Sequence, residues 1–162
     1  MKVKLCPVKR EERDTLFRLL QYSLFEESMT DLNEMNDDAL FEYPWFDAYF
    51  CEPEREAYLI RECETGKLFG FAMIRRQGNG AYSIAEYLVI PKYRRMGVGS
   101  QAARKCFELH AGLWEIKPAY GSEPAYCFWK KAIETYVGEH YAWKDGAFFL
   151  DTQYNVRNEG TQ

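Results

Sequence analysis

Residues 84–100 restrict the fold more than any other part of the chain. They run an apolar strand carrying one carboxylate, Glu86, into a stop at Pro91. A basic loop follows, Arg94-Arg95-Met96-Gly97-Val98-Gly99, and opens directly into an amphipathic stretch over residues 99–111. A strand, a glycine loop and a helix N-terminus in succession make a cradle for a phosphorylated ligand. Free backbone N–H groups point outward there, and the helix dipole favours negative charge. Loop glycines let the backbone approach phosphates closely, while Arg94 and Arg95 add charge-assisted hydrogen bonds. The loop lacks the lysine of a P-loop and the third glycine of a dinucleotide loop.

The rest of the chain narrows the partner. Its 162 residues suffice for one domain with a real core, and a 47% hydrophobic, 17% aromatic composition excludes a disordered polymer. A net charge of −4 disfavours a broad nucleic-acid face, so the basic run from Lys92 to Arg95 suits a small polyanion better than a duplex. No apolar run approaches the roughly 20 residues of a membrane span. No apolar signal core follows Met1 and Lys2, and a cytoplasmic protein is expected. The five cysteines (Cys6, Cys51, Cys63, Cys106, Cys127) are odd in number without a C-x-x-C pair, which reads as reduced core thiols. Cys106 and Cys127 sit in helical patterns among apolar neighbours and are expected in the core. His110 and His140 have no partner at ligand spacing, so no metal site is expected.

Periodicity then places the elements. Residues 2–7 alternate as a short strand. Residues 11–28 carry Leu16, Leu19, Leu20, Ser23 and Leu24 on one helical face. Residues 30–51, rich in acids and aromatics, read as a loop and then a second helical segment capping part of the site. Strands are expected at 57–61, 68–75 and 82–90, with turns at 64–67 and 77–80. A helix over 99–111 ends at Gly112. A short strand follows at 113–117, and then a helix at 122–136 with Ser122 as N-cap and Pro124 in its first turn. A final hairpin at 141–154 turns at Lys144, Asp145 and Gly146. This order predicts an α/β domain with a mixed, mostly antiparallel sheet and helices on both faces.

Arg94-Arg95-Met96-Gly97-Val98-Gly99, preceded by Leu88-Val89-Ile90-Pro91, resembles the acetyl-coenzyme A signature of the GCN5-related N-acetyltransferase (GNAT) superfamily. The helix Pro124-Ala125-Tyr126-Cys127-Phe128-Trp129-Lys130-Lys131 is similar to a second superfamily motif, and the element order from Lys2 to Tyr154 matches. The resemblance therefore implies one GNAT domain over residues 1–162 with acetyl-CoA as cosubstrate and no metal. It puts the acyl thioester beside the backbone of Leu88, Val89 and Ile90. It puts the pyrophosphate on the amides of Met96, Gly97, Val98, Gly99 and Ser100, with Arg94 and Arg95 nearby. The pantetheine arm would pass through a V-shaped gap between the strands at 82–90 and 113–117. Two positions depart from the pattern. Ser122 replaces the asparagine that opens the later helix, and Trp129 replaces the tyrosine that often protonates the leaving thiolate.

Glu86 is the candidate general base on the residues alone. A carboxylate in a strand otherwise apolar over residues 84–90 is desolvated unless it faces a cleft, and desolvation raises its pKa toward the useful range. Its alternative is a structural carboxylate. Glu115, between Trp114 and Ile116, repeats the oddity on the neighbouring strand and would position an amine or a water, or be structural. Tyr126 shares a helical face with Trp129 and would supply the missing hydroxyl, or simply pack. Glu26, Glu27, Asp31 and Glu34 would attract a cationic amine or form a solvated acidic loop. The aromatic run at residues 41–50 is open to three uses: core, pocket wall or contact in a homodimer. The expected activity is transfer of an acetyl group from acetyl-CoA to a primary amine by direct attack, since no cysteine sits in a nucleophile context. The alternative is an acyl-CoA-binding regulatory module without turnover.

Overall fold

The computed structural model describes residues 1–156. Ten elements follow one another: β1 (Val3–Pro7), α1 (Arg13–Glu27), β2 (Arg55–Glu62), β3 (Leu68–Arg76), β4 (Tyr82–Val89), α2 (Val98–Leu109), β5 (Leu113–Ile116), α3 (Glu123–Val137), β6 (Tyr141–Lys144) and β7 (Ala147–Asp151). The strands form one seven-stranded sheet in the order β1-β2-β3-β4-β5-β7-β6. Every neighbouring pair is antiparallel except β4 and β5. The expected mixed sheet with helices on both faces is what forms.

Each face has its own core. The stripe Leu16, Leu19, Leu20 and Leu24 of α1 packs on Leu59, Phe71, Met73 and Leu88. On the opposite face, Phe107 of α2 and Trp129 and Ile133 of α3 close over Ile84, Trp114, Ile116 and Phe148. Val98 and Ala102 of α2 join Val3, Ile60 and Phe69 in a third cluster. Among the described residues no helix is long and apolar enough to cross a membrane.

Two expectations need correction. The second helical segment within residues 30–51 reduces to a single 3-10 turn, Asp47–Phe50. Pro44 disfavours helical geometry in the residue before it. The segment is held instead by α1: Gln21 Nε2 donates to the Phe41 carbonyl (2.9 Å), and the Phe41 N–H donates back to Gln21 Oε1 (2.8 Å). Phe41, Phe46 and Tyr49 are thereby buried beneath α1. Of the five cysteines expected as core thiols only Cys106 is buried: Cys6 is half-buried, and Cys51, Cys63 and Cys127 on α3 are exposed.

Two irregularities in the middle of the sheet position the site. First, β4 pairs with β5 at one register point, Tyr82 opposite Trp114. Beyond it the strands part, since β5 continues along β7 as far as Ile116 opposite Phe148. Second, the β3–β4 register slips: Ile74 faces Ile84 but Met73 faces Glu86, leaving Ala85 as the extra residue of a bulge. Strand side chains alternate faces, so an unbroken β4 would put Glu86 beside Ile84 under α3. With the bulge, Ile84 and Tyr87 face the α3 core while Ala85 and Leu88 face the α1 core, and Glu86 turns to the α1 side.

The strands also press unusually close at the end of β4. A Cβ on Gly70 of β3 would lie 1.9 Å from the Leu88 carbonyl oxygen, a backbone atom that has no free rotation to escape. Gly70→Ala is therefore expected to destabilise the fold by about 1–3 kcal/mol or more. Gly78→Ala, at a position with no atom within 4 Å of a new Cβ, should be nearly neutral. Equal urea midpoints for the two variants would contradict this account of the β3–β4 contact.

Candidate functional site

The loop between β4 and α2 is anchored from both ends. Ile90 N–H donates to Phe69 O (2.8 Å), and Pro91–Tyr93 forms a 3-10 turn. Arg95 (φ 60°) and Gly97 (φ 79°) then adopt left-handed conformations, turning the chain into α2 with Gly97 at its N-cap. The Tyr87 hydroxyl donates to the Gly99 carbonyl at 2.6 Å, tying α2 to β4. Gln101 joins the same end to β1, accepting from Val3 N–H (3.3 Å) and donating to Met1 O (2.8 Å). Gly99 packs beneath Phe128, whose ring a Cβ would meet at 3.0 Å.

Among the described residues, the backbone N–H groups of Arg95, Met96, Gly97, Val98, Gly99 and Ser100 find no acceptor in normal geometry. Orphan donors at a helix start are ordinary. A run of them that includes two left-handed residues, Arg95 and Gly97, forms an outward nest for an anion. Arg95 and Met96 stand exposed beside it. Arg94 is differently employed than the sequence suggests. Its Nε donates to the Val89 carbonyl (2.8 Å) and its Nη2 to both oxygens of Glu26 (2.9 Å each), locking the loop to α1.

The backbone at 88–90 is divided in the same way. Ile90 N–H is committed to Phe69, and alternation along the strand turns the Val89 N–H to the opposite edge, where β5 has diverged.

Glu86 is mostly buried, and its Oε2 is sealed from solvent without a hydrogen-bond partner. Burial pushes its pKa up from 4.5 to about 9, reinforced by the charge and contact of Glu27 and by Asp31; the Tyr43 hydroxyl pulls the other way. Glu27 is raised as well, mainly by burial, with its contact to Glu86 opposing, Asp31 and Glu26 adding to the rise and Ser23 opposing it. Glu27, open in the sequence to either an amine-attracting acidic group or a solvated loop, is thus a neighbour of Glu86. The signal was present, because Leu16, Leu20, Ser23 and Leu24 define the buried stripe and Glu27 lies four residues beyond Ser23. Tyr43 and Tyr49 complete the surroundings, both held protonated above their ordinary range, first by burial.

The other candidates lie elsewhere. Trp129 is buried against Tyr87, ring centroids 5.0 Å apart. Tyr126 packs edge-on to Trp143 (4.8 Å) and stacks on Phe148 (5.4 Å). The Ser122 hydroxyl caps α3 by accepting from Ala125 N–H (3.2 Å). Glu115 pairs with Lys117 at 3.5 Å. It lines a cleft of about 490 Å³ with Ala81, Leu113, Tyr141 and Phe149. That cleft holds none of the loop amides and neither Glu27 nor Glu86, so Glu115 and Glu86 are not brought together.

This fold and this loop define an acyl-transfer class, and the comparisons agree. The model of the Acetyltransferase (GNAT) family matches residues 21–131, and the chain belongs to that family. No curated protein matches it. Solved structures with the same fold include a histone acetyltransferase HPA2 and related acetyltransferase from Corynebacterium glutamicum (12% identity, TM-score 0.63, 93% of this chain and 97% of that one). An acetyltransferase from Thermus thermophilus shares 17% identity at TM-score 0.62, covering 92% and 94%. Mutant forms of the spermidine/spermine N-acetyltransferase SpeG from Vibrio cholerae share 10% at TM-score 0.61, covering 98% of each.

The buried carboxyl has a stability consequence. The folded protein holds on Glu86 a proton that the unfolded chain releases above about 4.5. Stability therefore falls as pH rises from there toward 9 and levels off beyond it. Its slope is at most about 1.4 kcal/mol per pH unit. Glu86→Gln should remove most of this decline, matching wild type near pH 4 and exceeding it near pH 8 in urea denaturation. The same pH dependence in both proteins would contradict the burial argument.

Proposed function

We propose that this protein transfers an acetyl group from acetyl-CoA to a primary amine, in a ternary complex and without a covalent enzyme intermediate. The observation that carries the proposal is the run of unpartnered amides at residues 95–100, beside the opening between β4 and β5. These donors fit a pyrophosphate: they converge at a helix N-terminus, and exposed Arg95 adds positive charge. The parted strands offer a passage for an extended arm, and the Val89 N–H faces that passage as a donor for the thioester carbonyl.

Acetyl-CoA, when bound, supplies an acetyl group activated as a thioester. The chain's own task is to orient the amine and hold its proton. Glu86, turned toward α1 by the bulge, is the group suited to accept that proton. Buried Trp129 has no hydroxyl to give, and Tyr126 is engaged in packing. The proton needed by the departing sulfur is therefore assigned to the amine nitrogen, which loses a second proton as the amide forms. We read the chain as one domain acting in the cytoplasm, a compartment that keeps its five free cysteines reduced.

Gly97→Asp tests the coenzyme cradle. A new Cβ there meets only the end of Gln101, at 3.7 Å, and aspartate tolerates left-handed geometry better than most residues. The fold should persist while a carboxylate faces the anion-binding amides. Affinity for acetyl-CoA should fall at least about tenfold, or 1.4 kcal/mol, by calorimetry; unchanged affinity in a folded variant would overturn the assignment.

Glu86→Gln tests catalysis. It should lower amine-dependent thiol release about 10²–10⁴-fold with acetyl-CoA affinity retained. Binding of acetyl-CoA with no turnover across a panel of amines would favour a regulatory module instead.

A further inference from the structure

The outer face of α1 and the chain that follows it bear an apolar surface that no described residue covers. Tyr22, Phe25 and Met29 recur at helical spacing on the side of α1 turned away from the buried Leu16, Leu20 and Ser23. Residues 41–46 run back along one flank of the helix. Phe46 meets Phe17 there with ring centroids 5.3 Å apart, and the Phe41 backbone is bonded to Gln21. Phe25 is the next position along that flank, so Leu40, and Met35 bridged to Phe41, come up beside it. Leu32, in the turn between, completes the surface. Exposure of these six side chains runs from 38% at Leu40 to 95% at Leu32.

Hydrogen bonds hold this surface in shape. Asn36 Oδ1 accepts from the N–H groups of Asp38 and Leu40 at 3.0 Å each, and the Asn36 N–H donates to the Leu40 carbonyl at 2.8 Å. The Asp31 carboxylate accepts from the backbone N–H (2.9 Å) and the side chain (3.0 Å) of Asn33. A contiguous apolar surface rimmed by polar groups marks a docking face, whereas singly scattered exposed residues do not. Met29 and Met35 add side chains that adapt to a partner's shape.

Charge decides what docks there. Between Arg18 and Arg55 the chain has ten acidic residues and no lysine, arginine or histidine, although the whole chain nets only −4. At the margins Glu26, Asp47 and Glu52 are paired with Arg94, Arg13 and Arg55. In the middle, Glu34, Asp37, Asp38 and Glu42 are exposed and, among the described residues, have no cationic partner. A second copy meeting this face by two-fold symmetry would set these acids against themselves. An anionic lipid surface is repelled for the same reason.

We propose that this surface docks another protein through a basic amphipathic helix, whose apolar side chains cover Phe25, Met29 and Leu32 while its lysines or arginines meet Glu34, Asp37 and Asp38. The inference goes beyond the acetylation proposed above and is independent of it, using neither the loop at 95–100 nor Glu86.

The test uses a synthetic helical peptide of leucine and lysine, with the same peptide carrying glutamate for lysine as its control. Calorimetry should show binding of the lysine peptide only, and the amide shifts it induces should fall on residues 22–42. Leu32→Ser combined with Met29→Ser should weaken binding at least about tenfold. Glu34→Gln combined with Asp37→Asn should weaken it about threefold or more and lessen its loss with added salt. Both variants should keep the wild-type urea midpoint, since the altered side chains are exposed; a lowered midpoint would give them to the fold and overturn the inference. So would absence of binding, binding that the serine variant leaves intact, or equal binding of the glutamate peptide. A dimer in sedimentation that Leu32→Lys dissolves would make a second copy the occupant and overturn the basic partner. Binding to phosphatidylserine vesicles lost in the same variant would do so in favour of a membrane.

Discussion

The bulge at Ala85 is the constraint on which the site depends. One extra residue in β4 shifts the strand's alternation in mid-sheet, so that Tyr82, Ile84 and Tyr87 face one side while Ala85 and Leu88 face the other. Without it Glu86 would be forced among Phe107, Trp114 and Trp129 with no group to share its charge. With it the carboxyl reaches Glu27 on α1, and the Tyr87 hydroxyl becomes free to hold the start of α2. One local irregularity thereby places both the Glu86 carboxyl and the start of α2.

Charge is sorted on the two sides of that strand end. The loop amides, with Arg95, form a region that attracts an anion. Glu27, Glu86 and Asp31 gather carboxyl groups on the other side. Arg94 stands at the boundary and joins them mechanically, with Glu26 on α1 and the Val89 carbonyl on β4 as its two acceptors. This link is half exposed, and such pairs contribute little to stability; its value is positional. The loop's rigidity comes instead from the Tyr87–Gly99 hydrogen bond and from Phe128 packed over Gly99.

Much of this architecture was legible in the residues. The strand–loop–helix succession at 84–100, the α1 stripe and the Ser122 cap carry local signals, and each forms nearly where periodicity puts it. What escaped is non-local. The Ala85 bulge is set by pairing with β3, and no residue within β4 announces it. Glu27 continues the buried stripe of α1, but its neighbour Glu86 emerges only once α1 is laid across β4. Residues 30–51 read as a loop and then a helical segment, yet Gln21 and Pro44 hold that second part as irregular chain with its aromatic side chains packed against α1. The free arginine expected at residue 94 is a tertiary strut for the same reason: its acceptor, Glu26, lies 68 residues away in the chain.

The central claim is that the α2 start and the parted β4–β5 edge form one coenzyme site. The most direct measurement is an amide-resolved NMR titration of the wild-type protein with coenzyme A. The account predicts that the largest shifts fall on the N–H groups of residues 95–100 and on Val89, with the Ile90 N–H, already bonded to Phe69, shifting less. Shifts concentrated instead on Leu113, Glu115 and Phe149, around the 490 Å³ cleft across β5 and β7, would contradict it.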